Sequence, residues 1–277
     1  MKIVKKTSEI KEILSYLESN KTKINLIPTM GNIHDGHLSL LSEANKFEGI
    51  NIVSIFINPT QFNEIADLEN YPNTFDNDVN LLSKNNCQIV FAPEINEMYP
   101  DGLETKKTIF EYRKILCDNF RSGHFDGVTT IVKILFDHIN PSNVFFGEKD
   151  FQQLKIIEHM IIENNLKINL VKCPSIRGTN GMSLSSRYSK FSENDKTKFD
   201  QCAKIINDNL SDLIESFDFK ILDKIKNDLK SIGISSIDYC EVRSEDSLDL
   251  SSINKDSRLF IAFYLNAIRI IDNFTLY

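Results

Sequence analysis

Apolar positions along this 277-residue chain switch repeatedly between two periods. Ile10, Ile13, Leu14 and Leu17 stand at i, i+3, i+4 and i+7 behind Thr7 and Ser8, either of which can cap a helix. Ile24-Asn25-Leu26-Ile27 is a short apolar run and reads as a buried strand, and Leu38, Leu41 and Ala44 return to helical spacing. Ile50 to Ile57 is rich in β-branched residues and reads as a second buried strand. The alternation continues with a helix from Asp76 to Asn85 and a strand from Gln88 to Ala92. A helix then runs through Val128, Ile131, Val132, Leu135 and Phe136, followed by a strand at Asn143–Phe146, a helix over 151–164 and a strand from Leu166 to Val171. Lys2 to Lys5 adds a short strand at the start, whereas residues 103–120 are polar and less periodic. Repeated strand–helix–strand order predicts an α/β domain with a parallel sheet and right-handed crossovers.

Beyond about residue 190 the pattern changes. Ser192-Glu193-Asn194-Asp195 caps a helix bearing Phe199, Cys202, Ile205, Ile206, Leu210 and Leu213, and a second helix spans about 219–231. Strands follow at 237–242, 258–264 and 267–271. We therefore expect two domains, an α/β domain over 1–175 and a smaller α+β domain over 176–277.

Bulk properties narrow the function classes. A net charge of −7 argues against a general nucleic-acid binder. Cys87, Cys117, Cys173, Cys202 and Cys240 are widely spaced with no C-x-x-C pair, which fits a reducing cytoplasm and buried thiols. Neither a secretory signal nor a membrane-spanning stretch is expected.

The chemistry concentrates in loops. Pro28 to Leu41 reads PTMGNIHDGHLSLL, a strand end, a loop with Gly31 and Gly36, and a helix start. Such a start suits an anion, and His34 and His37 there offer two ring donors to a phosphate. Asn58-Pro59-Thr60-Gln61 follows the second strand, at the end where α/β sheets bind ligands, and its amides suit a hydroxy acid or an amine. Asp76 and Asp78 open a helix and are candidates for holding magnesium, although first-turn acids also serve a helix alone. Arg121-Ser122-Gly123-His124-Phe125-Asp126-Gly127-Val128 is another glycine-punctuated loop, in which Arg121 can meet an anion. Lys149, at a strand end, can neutralise phosphate, and Gln153 lies one turn further on. In the stretch 176–188, Ser185, Ser186 and Arg187 supply two hydroxyls and a guanidinium suited to a polyphosphate.

The stretches PTMGNIHDGHLSLL, FINPTQF, RSGHFDGV, FFGEKDFQQL and IRGTNGMSLSSR together resemble the pantoate–β-alanine ligase family, in that family's order. The resemblance implies a Rossmann-like N-terminal domain, a homodimer and an ATP- and magnesium-dependent ligation through pantoyl adenylate. It implies that Met30, Gly31, Asn32, Ile33, His34, Asp35, Gly36 and His37 line the ATP site, with His37 as proton donor. It assigns Gly147, Glu148, Lys149, Asp150 and Ile176 to the nucleotide, with Asp150 reading the ribose, and Leu184, Ser185, Ser186 and Arg187 to the phosphates. Gln61 and Gln153, with Asn58 beside them, would hold pantoate, and Gln61 would also meet β-alanine. The expected catalytic set is His34, His37, Lys149 and Arg187. Adenylation needs no enzyme nucleophile, because the substrate carboxylate is already ionised. Asn180 and Tyr188 depart from the family's usual Asp and Asn, Ser122 replaces a Pro, and Asn32 and Ile33 are also uncommon. His-x-Gly-His alone also fits a nucleotidylyltransferase of another linkage, or a nucleotide-binding regulator without turnover.

Overall fold

A computed structural model of the chain describes residues 1–63, 65–106 and 109–277. Of the aperiodic stretch 103–120, residues 107 and 108 lie outside the described residues. The chain divides into two compact units, residues 1–148 with 153–174, and residues 149–152 with 175–277.

The first unit is built on six strands: β1 (Lys2–Val4), β2 (Ile24–Thr29), β3 (Ile50–Ile55), β4 (Ile89–Phe91), β5 (Asn143–Gly147) and β6 (Asn169–Cys173). They form one parallel sheet in the order β1-β4-β3-β2-β5-β6. Chain order reverses between β2 and β5, which makes their carboxyl ends the expected ligand site of such a sheet. Ile27, Leu41, Val53, Val90 and Phe145 are buried together, with helix Asp35–Ala44 contributing Leu40, Leu41 and Ala44.

A polar ladder crosses this apolar sheet. Asn51, Asn25, Asn143 and Asn169 stand in register on β3, β2, β5 and β6. Their amides join head to tail, with Asn25 donating to Asn51 at 3.0 Å, Asn143 to Asn25 at 2.8 Å and Asn169 to Asn143 at 2.9 Å. A one-residue slip would bury these amides without partners, so the ladder pins the register.

The second unit pairs helices Glu193–Ser216 and Lys220–Ser231 with an antiparallel sheet, β7 (Ile237–Ser244), β8 (Ser257–Leu265) and β9 (Ile268–Thr275). Ile206, Leu213, Ile225, Leu229, Leu259 and Phe263 share its core. The expected capping box forms between Ser192 and Asp195.

Three local expectations shift. The strand expected at 166–171 lies at Asn169–Cys173, because Leu166 still closes the preceding helix through its N–H to the Ile161 carbonyl. The helix expected from Val128 starts at His124. The first helix is not capped by its own Thr7 or Ser8. Glu97 reaches it instead, accepting the Thr7 amide and hydroxyl, each at 2.7 Å. Among the described residues no helix is long and apolar enough to cross a membrane.

Candidate active site

The histidine loop leaves the end of β2 and enters helix Asp35–Ala44. Gly31 has φ +80° and Asn32 φ 50°, two consecutive residues in the left-handed region, which glycine and asparagine tolerate. This geometry turns the N–H groups of Asn32 and Ile33 the same way, and both meet the Asp78 carboxylate, at 2.9 and 2.8 Å. Thr74 adds a hydroxyl bond to Asp78 at 3.0 Å. A Cβ on Gly31 would lie 3.0 Å from the same carboxylate, so the position needs glycine. Asp78 was expected to face magnesium. Instead it is 1% exposed, and both oxygens are engaged by the loop, so it acts as a clamp.

His34 is the cap of the helix, and His37 stands three residues on in its first turn. Their rings lie 4.2 Å apart between centroids, tilted by 33°. His34 Nδ1 accepts the Gly36 N–H at 3.1 Å. A nitrogen that accepts a hydrogen bond carries no proton, so the proton of neutral His34 sits on Nε2. Both histidines are half-buried, whereas Asp35 is exposed.

The next loop begins where β3 ends. Asn58 Nδ2 donates to Gln61 Oε1 at 3.2 Å and to the Gly127 carbonyl at 3.1 Å, and its Oδ1 accepts from Tyr99 at 2.7 Å and Thr60 Oγ1 at 3.0 Å. The side chain is 1% exposed, so Asn58, expected to touch the substrate, shapes the turn from behind. Gln61 is half-buried, and its Nε2 reaches Met30 Sδ at 2.6 Å, joining the two loops.

RSGHFDGV proves to be the brace of this turn. Arg121 and His124 both bond the Gln61 carbonyl, at 3.3 and 2.7 Å. A carbonyl only accepts, so His124 Nδ1 donates and Nε2 accepts from Arg121, 3.0 Å away. Gly127 lets the helix approach, since a Cβ there would sit 2.3 Å from the Thr60 carbonyl. Tyr99 and this bracing escaped the sequence reading, although a glycine inside an apolar helix signals close backbone approach. Gly147 closes β5, Glu148 follows it, and Gln153 is half-buried in the first turn of helix Phe151–Glu163.

The second unit holds the remaining expected residues. Lys149 Nζ lies 3.7 Å from the exposed Asp150 carboxylate. Ile176 is 38% exposed, and its carbonyl accepts the Leu184 N–H at 2.9 Å, closing the loop between them. Ser185 caps a short 3-10 turn, Ser186–Lys190, by accepting the Arg187 N–H at 3.3 Å. Asn180 Oδ1 accepts from Met182 N at 3.1 Å, and Asn180 Nδ2 donates to Asp200 at 2.8 Å, a bond that an aspartate could not make. Tyr188 donates to the Ser183 carbonyl at 2.8 Å and packs on Phe199, and burial pushes its hydroxyl pKa well above the usual range. Asn180 and Tyr188 are thus both bonded within this unit.

Among the described residues no group of three or more His, Cys, Asp or Glu side chains could hold a metal ion. A magnesium ion carried on a triphosphate needs no such cage, since the phosphates and water supply most of its ligands.

Comparison with known proteins agrees with this picture. The structure superposes on pantothenate synthetase from Thermus thermophilus with a TM-score of 0.92, at 28% identity and with both chains fully covered. It also matches the pantoate-beta-alanine ligase of Francisella tularensis, complexed with beta-gamma ATP and beta-alanine, at a TM-score of 0.87 and 31% identity, covering 100% of this chain and 98% of that one. Pantothenate synthetase from Sulfurihydrogenibium sp. is 36% identical over 99% of both chains. That of Buchnera aphidicola from Acyrthosiphon pisum is 40% identical over 99% of this chain and 98% of its own. The model of the pantoate-beta-alanine ligase family matches residues 2–275, and the chain belongs to that family.

Proposed function

We infer that this chain joins pantoate to β-alanine at the expense of ATP, giving pantothenate, AMP and pyrophosphate. The pantoate carboxylate attacks the α-phosphorus and pyrophosphate leaves. The amine of β-alanine then attacks the acyl carbon of pantoyl adenylate and AMP leaves. The observation that carries the reading is the His34–His37 pair, 4.2 Å apart at the end of the central strand β2, within a chain of this family.

The protein's part is alignment and charge stabilisation. His34 Nε2–H and His37 donate to the phosphates, and His37 supplies the proton as charge develops. Lys149, Arg187 and the hydroxyls of Ser185 and Ser186 offset the triphosphate, and ATP enters as its magnesium complex, the ion travelling with the substrate. Asp150 takes the ribose hydroxyls and Ile176 packs by the base. Gln61 and Gln153 hold pantoate, Gln61 from a turn fixed by Asn58, Arg121 and His124. The smaller domain serves as a lid that limits hydrolysis of the adenylate. The active form is a homodimer and works in the cytoplasm, a location supported by five cysteines that are all free.

The test is AMP release from ATP with pantoate and β-alanine supplied separately and together. AMP formed only with both, and pyrophosphate matching the enzyme with pantoate alone, is the expected result. Well-folded protein that does not respond to pantoate rejects the reading.

A further inference from the structure

Strand β9 carries two consecutive buried polar residues near its end, Asp272 (3% exposed) and Asn273 (2%), where alternation calls for one inward and one outward position. Each is joined to a different segment of the second unit. Asp272 accepts the amide and hydroxyl of Ser183, at 2.7 and 2.6 Å, and the Arg177 guanidinium at 3.1 Å. It therefore grips the loop that leads into Ser185, Ser186 and Arg187. Asn273 Nδ2 donates to the backbone carbonyl of Lys149 at 2.9 Å, and its Oδ1 accepts from Arg258 at 2.6 Å. Arg258 in turn stacks on Phe151, 4.2 Å from the ring centre, two residues beyond Lys149. The two anchors are themselves linked, with Asn273 N donating to Asp272 Oδ1 at 2.8 Å and Arg177 donating to the Asn273 carbonyl at 2.7 Å.

We propose that Asp272 and Asn273 are positioning residues for the triphosphate, setting Lys149 and the Ser185–Arg187 turn in one fixed spatial relation. The proposal rests on the assignment of those groups to ATP. Lys149 and Arg187 are 38 positions apart in the chain, and both have flexible side chains. Two cations are useful to a polyphosphate only when their backbones are held at the spacing of its charges. A carboxamide at one site and a carboxylate at the next provide that hold, and neither needs to touch the ligand.

Asn273→Asp separates the contributions, because a carboxylate still accepts from Arg258 but cannot donate to Lys149 O. Ser183→Ala is the milder counterpart, removing only the hydroxyl bond to Asp272. The measurements are the dissociation constant of magnesium-ATP by calorimetry, KM for ATP and for pantoate, and the urea midpoint. Asn273→Asp should weaken ATP binding and raise KM for ATP by about ten- to a hundredfold, with pantoate KM within about twofold. Ser183→Ala should shift the same two ATP constants by roughly threefold. Unchanged ATP constants in both variants, or equal loss for both substrates in step with a lowered urea midpoint, would overturn the proposal. If the unsubstituted chain binds ATP but ignores pantoate, the ligase reading fails while the ATP affinities still decide this one. A chain that binds no ATP ends both.

Discussion

Two loops of this molecule are each held by a buried carboxylate, in different ways. In the first unit Asp78 takes the N–H groups of Asn32 and Ile33 and a threonine hydroxyl. In the second, Asp272 takes the Ser183 amide and hydroxyl together with a cation, Arg177. The first loop presents imidazoles to its surroundings and the second presents hydroxyls and a guanidinium. In both, an internal acceptor takes up backbone donors and fixes the course of the loop. The difference lies in what loss of the acceptor exposes. Without Asp78, two amides lose their partner. Without Asp272, the buried Ser183 amide and hydroxyl lose their acceptor, while the exposed Arg177 guanidinium keeps the carbonyls of Gly181 and Asn273.

The sharpest way to break this comparison is to remove the chemistry and leave the clamps. His37→Ala should lower turnover by about 10²–10³, the usual effect of losing one donor to a transition state, with the urea midpoint little changed. Near-normal turnover in the folded variant would remove His37 from its assigned role. Removing the clamp is the next largest effect. Asp78→Ala takes this acceptor from the half-buried Asn32 amide and the buried Ile33 amide, and at about 1–3 kcal/mol for each group the loss should reach about 2–6 kcal/mol. Urea unfolding at constant m measures it, and a loss below about 1 kcal/mol would show that the loop finds other partners.

The smallest effect concerns a third carboxylate on backbone donors, Glu97. Its bonds from Thr7 and Lys6 hold its pKa at about 2, against an ordinary 4.5. A lowered folded-state pKa adds stability that is complete above the unfolded value and is lost as pH falls through the folded one. The stability gap between the unsubstituted protein and Glu97→Gln should therefore be constant above about pH 5.5 and close between about pH 4.5 and 2. A gap that is the same at pH 2.5 and pH 7 would show that the charge of Glu97 is irrelevant to the helix it caps.

Much of the first unit could be read in the chain because its signals are local. A β-branched run such as Ile50–Ile57 has few alternatives to a buried strand, and the capping box at Ser192 is complete within four residues. The pairing of the two histidines was legible to the same depth. His34 and His37 sit three apart in sequence, and a helix start brings their rings together. What the chain hid were roles shared across distance. Asp78 and Asn58 carry the side chains expected of a metal ligand and a substrate contact, yet both are turned inward by partners far away in sequence. Glu97 caps a helix that begins 90 residues earlier.

The sequence by itself determined the types of the long periodic elements, the parallel sheet of the first unit and the family. These follow from periodicity and from motifs of a few residues, where side-chain chemistry and spacing are both visible. Tertiary structure alone decided which polar residues are turned inward to hold the backbone, as Asp78 and Asn58 are. It placed residues 149–152 with the C-terminal unit, lined up four asparagines from four strands and joined Asp272 and Asn273 to two separate segments. The physical reason is that a buried polar group must find a partner, and that partner is chosen by proximity in space, which no local pattern encodes.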